Sequence, residues 1–233
     1  MSKPDMKPFP DLLPNNIIET AKQFSSCNLC DGMKGLGIPR DGCMDAEMHP
    51  LAPNMKFVGT AMTVGTGDGD NLPIHVALYS SKPGYVMVIN GGGCKEYPYF
   101  GDIIMSTAKA IGLLAMVVDG YCRDYEGALE VGLPVFAKGL MPRGPAKKNP
   151  GTINHPIMCA GVKVNPGDLI LGDCDGIAVV PREHINEVLE ATAKKVSYEG
   201  GRRKTIAEYE KARKEGGPLP DLAPQWVKDM LAK

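Results

Sequence analysis

The sequence lacks an excess of charge of either sign. Its 233 residues include 26 Lys and Arg and 27 Asp and Glu, which gives a formal net charge of -1 at pH 7. Such a balance creates no long-range positive field of the kind that recruits nucleic acids. Hydrophobic residues make up 43% of the chain and charged residues 23%, as in ordinary globular proteins. We therefore expect a globular chain with a substantial core and no nucleic-acid partner.

Long apolar runs are also missing. A membrane-spanning helix needs about 18 consecutive apolar residues, whereas the run over 113–118 contains only six. Residues 1–10 are polar and rich in Lys and Pro, unlike the apolar segment of a signal peptide. These features predict a cytoplasmic protein with no membrane partner.

The cysteines do not form the framework of a secreted, disulfide-rich domain. Their number is odd, seven, and they are scattered along the chain. Cys27 and Cys30 form a C-x-x-C pair, but no second pair and no suitably spaced His pair completes a tetrahedral zinc site. We expect free thiols, with zinc binding or redox chemistry of this pair as disfavoured alternatives.

The chain alternates between helix-like and strand-like patterns. Such alternation predicts a mixed α/β architecture. The helical patterns cover 12–31 and 103–111, and the strand-like patterns cover 56–64, 85–90, 114–119, 169–171 and 177–180.

The region after residue 182 is highly charged and helical in pattern. Gly200 and Gly201 are expected to break the helix of 183–215 into two pieces. This region is too polar to form a core of its own. The sequence therefore predicts a core domain over 1–182 and a helical C-terminal arm over 183–233 that packs on a neighbouring subunit.

A glycine-rich segment follows the strand-like pattern at 56–64. It resembles the start of a dinucleotide-binding G-x-G-x-x-G motif, but Asp70 occupies the position of the third glycine, which excludes that motif. No G-x-x-x-x-G-K-[ST] loop is present either. Asp70 is interpreted as the N-cap of the next helix. The alternative is a site contact by Asp70, Asn71 or His75.

Two further glycine positions precede or follow predicted elements. Three glycines at 91–93 allow close approach of a ligand, or they form a flexible connection. Gly101 and Asp102 directly precede the helical pattern of 103–111. The free amide groups and the positive dipole end of that helix would face this region. A carboxylate could be held there.

The most informative segment is 119–124, which follows a predicted buried strand. Loops in this position carry ligands in many α/β folds. Arg123 offers a bidentate fork for a carboxylate, and Asp124 offers a hard oxygen ligand for Mg²⁺ or Mn²⁺. Taken alone, an Arg-Asp pair is more simply explained as a surface ion pair.

The order of these motifs carries more information than any one of them. The segments 69–71, 91–93, 101–104 and 123–124 occur in that order along the chain. In this respect the chain resembles the 4-hydroxy-4-methyl-2-oxoglutarate/4-carboxy-4-hydroxy-2-oxoadipate aldolases, which share their RraA-like fold with the RNase E activity regulator. The resemblance covers about residues 15–182.

The resemblance implies a swivelling β/β/α-type α/β fold in a single domain, and homotrimers or homohexamers with active sites between subunits. It implies that Arg123 contacts a 2-oxo acid substrate and that Asp124 coordinates a divalent metal, Mg²⁺ or Mn²⁺. The backbone amides implied to bind the substrate carboxylate belong to Gly101, Asp102, Ile103 and Ile104.

Two positions complete the site that the resemblance implies. Asp102 is expected to be catalytic, although its side chain is one methylene shorter than the Glu of most relatives. Family aldolases also receive an acidic residue from the C-terminal arm of a neighbouring subunit, and Glu199 is the candidate in this sequence.

The predicted function is metal-dependent cleavage of a 4-hydroxy-2-oxo diacid to pyruvate and a second oxo acid, with decarboxylation of oxaloacetate as a side activity. One alternative is a non-enzymatic regulator of an endoribonuclease, which uses the same fold. Another is a related lyase or hydratase acting on a different hydroxy acid. The regulator lacks an Asp at the position of Asp124, so the sequence favours the enzyme.

Overall fold

The helices and strands lie in residues 2–67 and 69–232, the part of the chain that the computed structural model describes. Within that part there are seven α-helices and thirteen strands. The helices are α1 (Asn15–Ala21), α2 (Ser26–Met33), α3 (Leu72–Ser80), α4 (Asp102–Ile111), α5 (Tyr125–Val131), α6 (Ile185–Glu215) and α7 (Gln225–Leu231). The strands are β1 (Asp5–Met6), β2 (His49–Pro50), β3 (Phe57–Gly65), β4 (Tyr85–Asn90), β5 (Ala115–Val118), β6 (Tyr121–Cys122), β7 (Val135–Ala137), β8 (Gly139–Leu140), β9 (Thr152–Ile153), β10 (Ile157–Cys159), β11 (Val162–Val164), β12 (Leu169–Asp173) and β13 (Gly176–Val180).

The centre of the main sheet is parallel. β3, β4, β5 and β7 are neighbours in that order and run in the same direction. These strands are almost wholly buried, which explains why they are continuous apolar runs rather than alternating ones. Because their carboxyl ends meet at one edge, the loops that follow β3, β4 and β5 emerge side by side.

Both faces of this sheet are covered. One face packs against α3 and α4 through side chains such as Leu78 and Met105. The other face packs against β10 to β13, for example through Ile157 and Ile170. β12 also pairs with β3, in the antiparallel direction, and thereby joins the β12–β13 hairpin to the sheet. The core therefore fixes the loops at the carboxyl edge from two sides.

The single helix predicted over 12–31 is wrong, because the chain forms two helices there, α1 and α2. The break lies just before Ser25, which begins α2 as its N-cap. The Ser25 hydroxyl accepts the Asn28 amide hydrogen at 3.2 Å, and the Asn28 side chain accepts the Ser25 amide hydrogen at 3.1 Å. This capping box starts a new helix where the partial apolar face suggested continuation.

The break predicted at Gly200 and Gly201 is also wrong. α6 is continuous over Ile185–Glu215. A glycine costs about 1 kcal/mol relative to alanine inside a helix, which is too little to interrupt one that is supported on both sides. Ion pairs span this stretch, since Glu199 lies 3.8 Å from Lys195 and 3.7 Å from Arg203.

The first turns of α6 pack on the core. Ile185, Val188 and Leu189 are buried in an apolar cluster that includes Leu29 of α2. α7, by contrast, exposes Trp226 and its other large apolar side chains. Packing of the arm on a neighbouring subunit, and the boundary at 182, remain predictions. Over the described residues, no helix combines the length and apolar character that crossing a bilayer requires.

We expect Gly200→Ala and Gly201→Ala to stabilise α6, each by about 1 kcal/mol, because alanine restricts the unfolded chain and favours the helix. A Cβ at either position meets no heavy atom within 4 Å, so neither substitution creates a clash. Amide hydrogen exchange of the residues flanking position 200 should slow in both variants. Faster exchange would show that the two glycines serve a contact that alanine disturbs.

Candidate active site

A cleft at the carboxyl edge of the sheet brings the predicted site residues together. It is small and open to solvent on one side, with a volume of about 170 Å³. Its walls come from the start of α3, the start of α4, the turn before α5 and the irregular segment 141–150. The residues that line it are Asn71, His75, Phe100, Gly101, Asp102, Ile103, Ile104, Arg123, Asp124, Pro145 and Lys147.

Backbone hydrogen bonds hold the turn before α5 against the start of α4. The Arg123 amide donates to the Phe100 carbonyl at 3.0 Å, and the Tyr99 amide donates to the Tyr121 carbonyl at 2.8 Å. The chain entering α4 and the chain entering α5 therefore run side by side. This pairing explains why residues 22 positions apart share one cleft.

The carboxylate of Asp124 lies directly against the backbone of Gly101. A Cβ built on Gly101 would be 2.1 Å from Asp124 Oδ2, so any side chain at that position would displace the carboxylate. Asp124 itself has a left-handed backbone, with φ 60° and ψ 53°, at the N-cap of α5. Asp and Asn adopt this conformation more readily than most residues. The two backbones thus aim this carboxylate into the cleft.

Arg123 and Asp124 form an ion pair, with 3.3 Å between Arg123 Nε and Asp124 Oδ2. Their side chains are 39% and 41% exposed, so the pair adds at most about 1 kcal/mol to stability. The Nε proton, which is buried, has no hydrogen-bond acceptor. The ion pair that the sequence suggested is therefore present, but it lies in a cleft. The Arg123 Nε–H group remains without a hydrogen-bond acceptor.

The N-terminus of α4 already has an anion beside it. Asp102 Oδ1 accepts the Ile103 amide hydrogen at 2.7 Å. The same side chain packs on Gly127 of α5, where an added Cβ would be 2.9 Å from Asp102 Oδ2. An incoming carboxylate must therefore replace Asp102 to use the Ile103 amide. The sequence did not predict this contact.

A second part of the cleft was only partly anticipated. The α3 wall, as we call Asn71, His75, Pro145 and Lys147, joins the start of α3 to the segment 141–150. Asn71 and His75 were the open alternatives of the sequence analysis. Pro145 and Lys147 were missed, because the segment that carries them has no periodic pattern.

Asp70 differs from the N-cap predicted for it. The N-cap of α3 is Asn71, one residue later, although Asp70 Oδ1 does accept the Leu72 amide hydrogen at 2.9 Å. Asp70 Oδ2 accepts the amide hydrogens of Lys148 at 2.6 Å and Asn149 at 2.8 Å. Burial alone would raise the pKa of Asp70, but the three amides outweigh it and lower that pKa. Asp70 thus ties the segment 141–150 to α3.

The triple glycine does not line this cleft. Gly92 and Gly93 have positive φ angles of 62° and 69°, which favour glycine. A Cβ on Gly91 would lie 2.5 Å from the Tyr99 ring. These glycines therefore serve the turn after β4 and its close packing on Tyr99.

The oxygen donors of the cleft suit a hard divalent cation. Asp124 and Asp102 are the carboxylates in its lining. Mg²⁺ and Mn²⁺ are commonly held by one or two carboxylates and keep several water ligands. Over residues 2–67 and 69–232, the one tight group of three ligand side chains is Asp173, Cys174 and Asp175, outside the cleft. The cleft lining offers two carboxylates and no cysteine, a donor set that suits a hard cation better than a cysteine-rich structural zinc site.

Comparison with known proteins places this cleft in a family context. The RraA-like family, described as Aldolase/RraA, matches residues 26–179. A Halalkalibacterium halodurans protein named "Putative 4-hydroxy-4-methyl-2-oxoglutarate aldolase" is 36% identical over 165 residues, covering 71% of this chain and 79% of that protein.

Solved structures give the same fold. Streptomyces coelicolor RraAS2, described as an unusual member of the RNase ES inhibitor RraA protein family, has a TM-score of 0.74 at 26% identity, covering 82% of this chain and 98% of its own. The RNA-processing inhibitor RraA from Thermus thermophilis has a TM-score of 0.56 at 27% identity, covering 60% of this chain and 84% of its own.

The matched region 26–179 contains the central parallel strands β3, β4, β5 and β7 and every residue that lines the cleft. The α/β fold of RraA-like type that the sequence predicted is confirmed. The chain belongs to the RraA-like family, Aldolase/RraA.

Proposed function

We propose that this protein is a divalent-metal-dependent lyase that cleaves a 4-hydroxy-2-oxo diacid to pyruvate and a second oxo acid. The observation that carries the proposal is the placement of Arg123 and Asp124 against the N-terminus of α4 in one cleft. The aldolase name of a relative at 36% identity supports it. Asp124, the position at which the resemblance separates the aldolases from the regulator, is one of the two carboxylates that line that cleft.

Each group has a distinct task in the proposed reaction. The amides at the start of α4 bind the carboxylate next to the ketone, since they are donors at the positive end of a helix. Asp124 is the ligand for Mg²⁺ or Mn²⁺. A divalent cation held there would supply positive charge beside the ketone and carboxylate oxygens of the substrate. Arg123 adds a second positive charge for the enolate that bond cleavage produces.

Asp102 is assigned to proton transfer. When the substrate carboxylate takes the Ile103 amide, the Asp102 carboxylate is released from its 2.7 Å contact and becomes available to order a water molecule. That water would take the proton of the 4-hydroxyl group as the C3–C4 bond breaks, and it would return a proton to the enolate carbon to form pyruvate. Decarboxylation of oxaloacetate yields the same enolate, so we propose it as a side activity.

We also propose that the working unit is a homotrimer or homohexamer in which a neighbouring subunit contributes Glu199. In its own chain Glu199 is about one-third exposed and forms long ion pairs with Lys195 and Arg203. These contacts are weak. Glu199 is thus available to a cleft on another subunit.

A second candidate function is regulation of an endoribonuclease, favoured by the structural likeness to RraA proteins described as inhibitors. A regulator needs no metal ligand in the cleft. Binding to an endoribonuclease, measured together with inhibition of RNA cleavage, tests this alternative directly.

The enzyme proposal is tested with a panel of 4-hydroxy-2-oxo diacids and oxaloacetate, assayed for pyruvate release with Mg²⁺, with Mn²⁺ and with EDTA. We expect at least one diacid to be cleaved, with activity lost in EDTA and restored by added metal. No turnover of any substrate, combined with inhibition of an endoribonuclease, would replace the enzyme by the regulator. Full activity in EDTA would remove the metal from the proposal.

A further inference from the structure

The segment 141–150, which we call the strap, has no regular secondary structure but is hydrogen-bonded to the core along its length. At its start the Met141 amide donates to the Cys122 carbonyl at 2.9 Å. In its middle, the Ala146 amide donates to the Gly69 carbonyl at 2.7 Å, and the Ala146 carbonyl accepts the Asn71 amide hydrogen at 3.0 Å. Near its end, Asp70 holds two of its amides. The strap therefore has a defined position over the cleft.

The strap also contacts the catalytic side of the cleft. Arg123 Nη1 donates to the Arg143 carbonyl at 3.5 Å. The Arg143 guanidinium lies 5.5 Å from the centre of the Tyr97 ring and 3.8 Å from Glu96 Oε2. The strap thus runs from Arg123 to the start of α3. Lys147 lines the cleft from this strap.

Asn71 gives an independent sign that the α3 wall binds something. Asn71 is only 2% exposed, and its Oδ1 atom has no hydrogen-bond partner. A buried acceptor without a partner costs about 1–3 kcal/mol. Because Asn71 also lines the cleft, this unsatisfied amide marks the α3 wall as a polar side of the site.

Lys147 is the positive charge of the α3 wall. Burial lowers the pKa of His75, and the nearby charge of Lys147 lowers it further. Both effects favour the neutral imidazole of His75, whereas the side chain of Lys147 is a donor of charge-assisted hydrogen bonds. The wall combines one cation, one neutral imidazole and one unused amide oxygen.

We infer that the α3 wall binds the far end of the substrate. Lys147 pairs with the second carboxylate. Lys147 is thus a specificity-determining residue that selects diacids over monoacids. This inference rests on the proposed function, since it concerns the same cleft and the same reaction.

The test compares Lys147→Met with Lys148→Met. Lys148 is the adjacent lysine on the same strap and is not part of the cleft lining, so it is a matched control. The substrates are 4-hydroxy-2-oxoglutarate and 4-hydroxy-2-oxopentanoate, which differ by a carboxylate in place of a methyl group at C4. Exchange of the pyruvate methyl protons with D₂O is followed by NMR as a measure of enolate formation alone.

We expect Lys147→Met to lower kcat/KM for the diacid by about tenfold to a hundredfold, mainly through KM, because one charge-assisted contact is lost. Cleavage of the monoacid and pyruvate proton exchange should stay at the wild-type level. Lys148→Met should change none of the three activities. Equal losses on both substrates, or no loss on the diacid, would overturn the inference.

Failure of the proposed function has a different signature. If the wild-type protein with Mg²⁺ or Mn²⁺ neither exchanges pyruvate protons nor cleaves a diacid, the lyase proposal falls and the inference falls with it. The placement of Lys147 has its own readout in the histidine NMR titration. The pKa of His75 should rise in Lys147→Met and stay unchanged in Lys148→Met.

Discussion

Asp124→Asn should lower the rate of metal-dependent pyruvate release by about a hundredfold to a thousandfold, the usual cost of removing a main electrostatic contribution to a transition state. Asparagine has nearly the same shape as aspartate and tolerates the left-handed backbone at position 124, with φ 60°. The variant therefore removes the charge without straining the turn. Alanine would lack that tolerance.

Two measurements separate loss of the metal from loss of the fold. Calorimetric titration with Mn²⁺ should show weaker binding in Asp124→Asn, while thermal unfolding should change little, because the Arg123–Asp124 pair is about 40% exposed on both sides. Wild-type activity in this variant would contradict the metal role of Asp124. A collapse in stability would assign the residue a structural role instead.

Gly101→Ala should reduce the rate of metal-dependent pyruvate release by about a hundredfold. A loss of this order follows a displacement of about 1 Å at a reacting centre. The added Cβ would be 2.1 Å from Asp124 Oδ2 and 3.0 Å from Arg123 Cγ. Since φ at Gly101 is -134°, alanine is acceptable to the backbone itself. The Asp124 carboxylate and the Arg123 side chain must therefore move away from position 101.

A glycine in open space controls for the change of residue type. Gly217→Ala adds the same methyl group 4.0 Å from Ala212 O and at a distance along the chain from Glu199, so its activity should equal that of the wild type. Gly101→Ala should fold normally but bind Mn²⁺ less tightly. Unchanged activity in Gly101→Ala would mean that the carboxylate of Asp124 works from a position away from this backbone.

The sequence predicted those parts of the fold whose signals are local. The buried strands β4 and β5 are uninterrupted apolar runs between glycines and polar residues, and they form where expected. The helix predicted over 103–111 corresponds to α4, which begins one residue earlier. Failures occurred where a single capping residue decides, as at Ser25, or where helix support outweighs two glycines.

The cleft was predictable to the same extent. Positions 101–104 and 123–124 were assigned to the site through the resemblance to a known family, since an Arg-Asp pair in a loop is by itself better explained as a surface ion pair. Lys147 could not be identified, because hydrogen bonds from the amides of Lys148 and Asn149 to Asp70 fix its position. These donors are 78 and 79 residues from Asp70 along the chain. Contacts of that range leave no periodic trace in a single sequence. The contact of Asp102 with the Ile103 amide likewise depends on a rotamer, which no pattern encodes.

The contact between Asp102 and the Ile103 amide has a consequence for selectivity. A tethered carboxylate acts as an intramolecular competitor whose effective concentration is of the order of millimolar or above. A small monocarboxylate that reaches the start of α4 replaces the Asp102 carboxylate on the Ile103 amide. Because one anion replaces another, its binding free energy is small. We expect this competition to reduce occupancy by abundant metabolic acids. A molecule prevails over the resident side chain only by adding further attachment points elsewhere in the cleft.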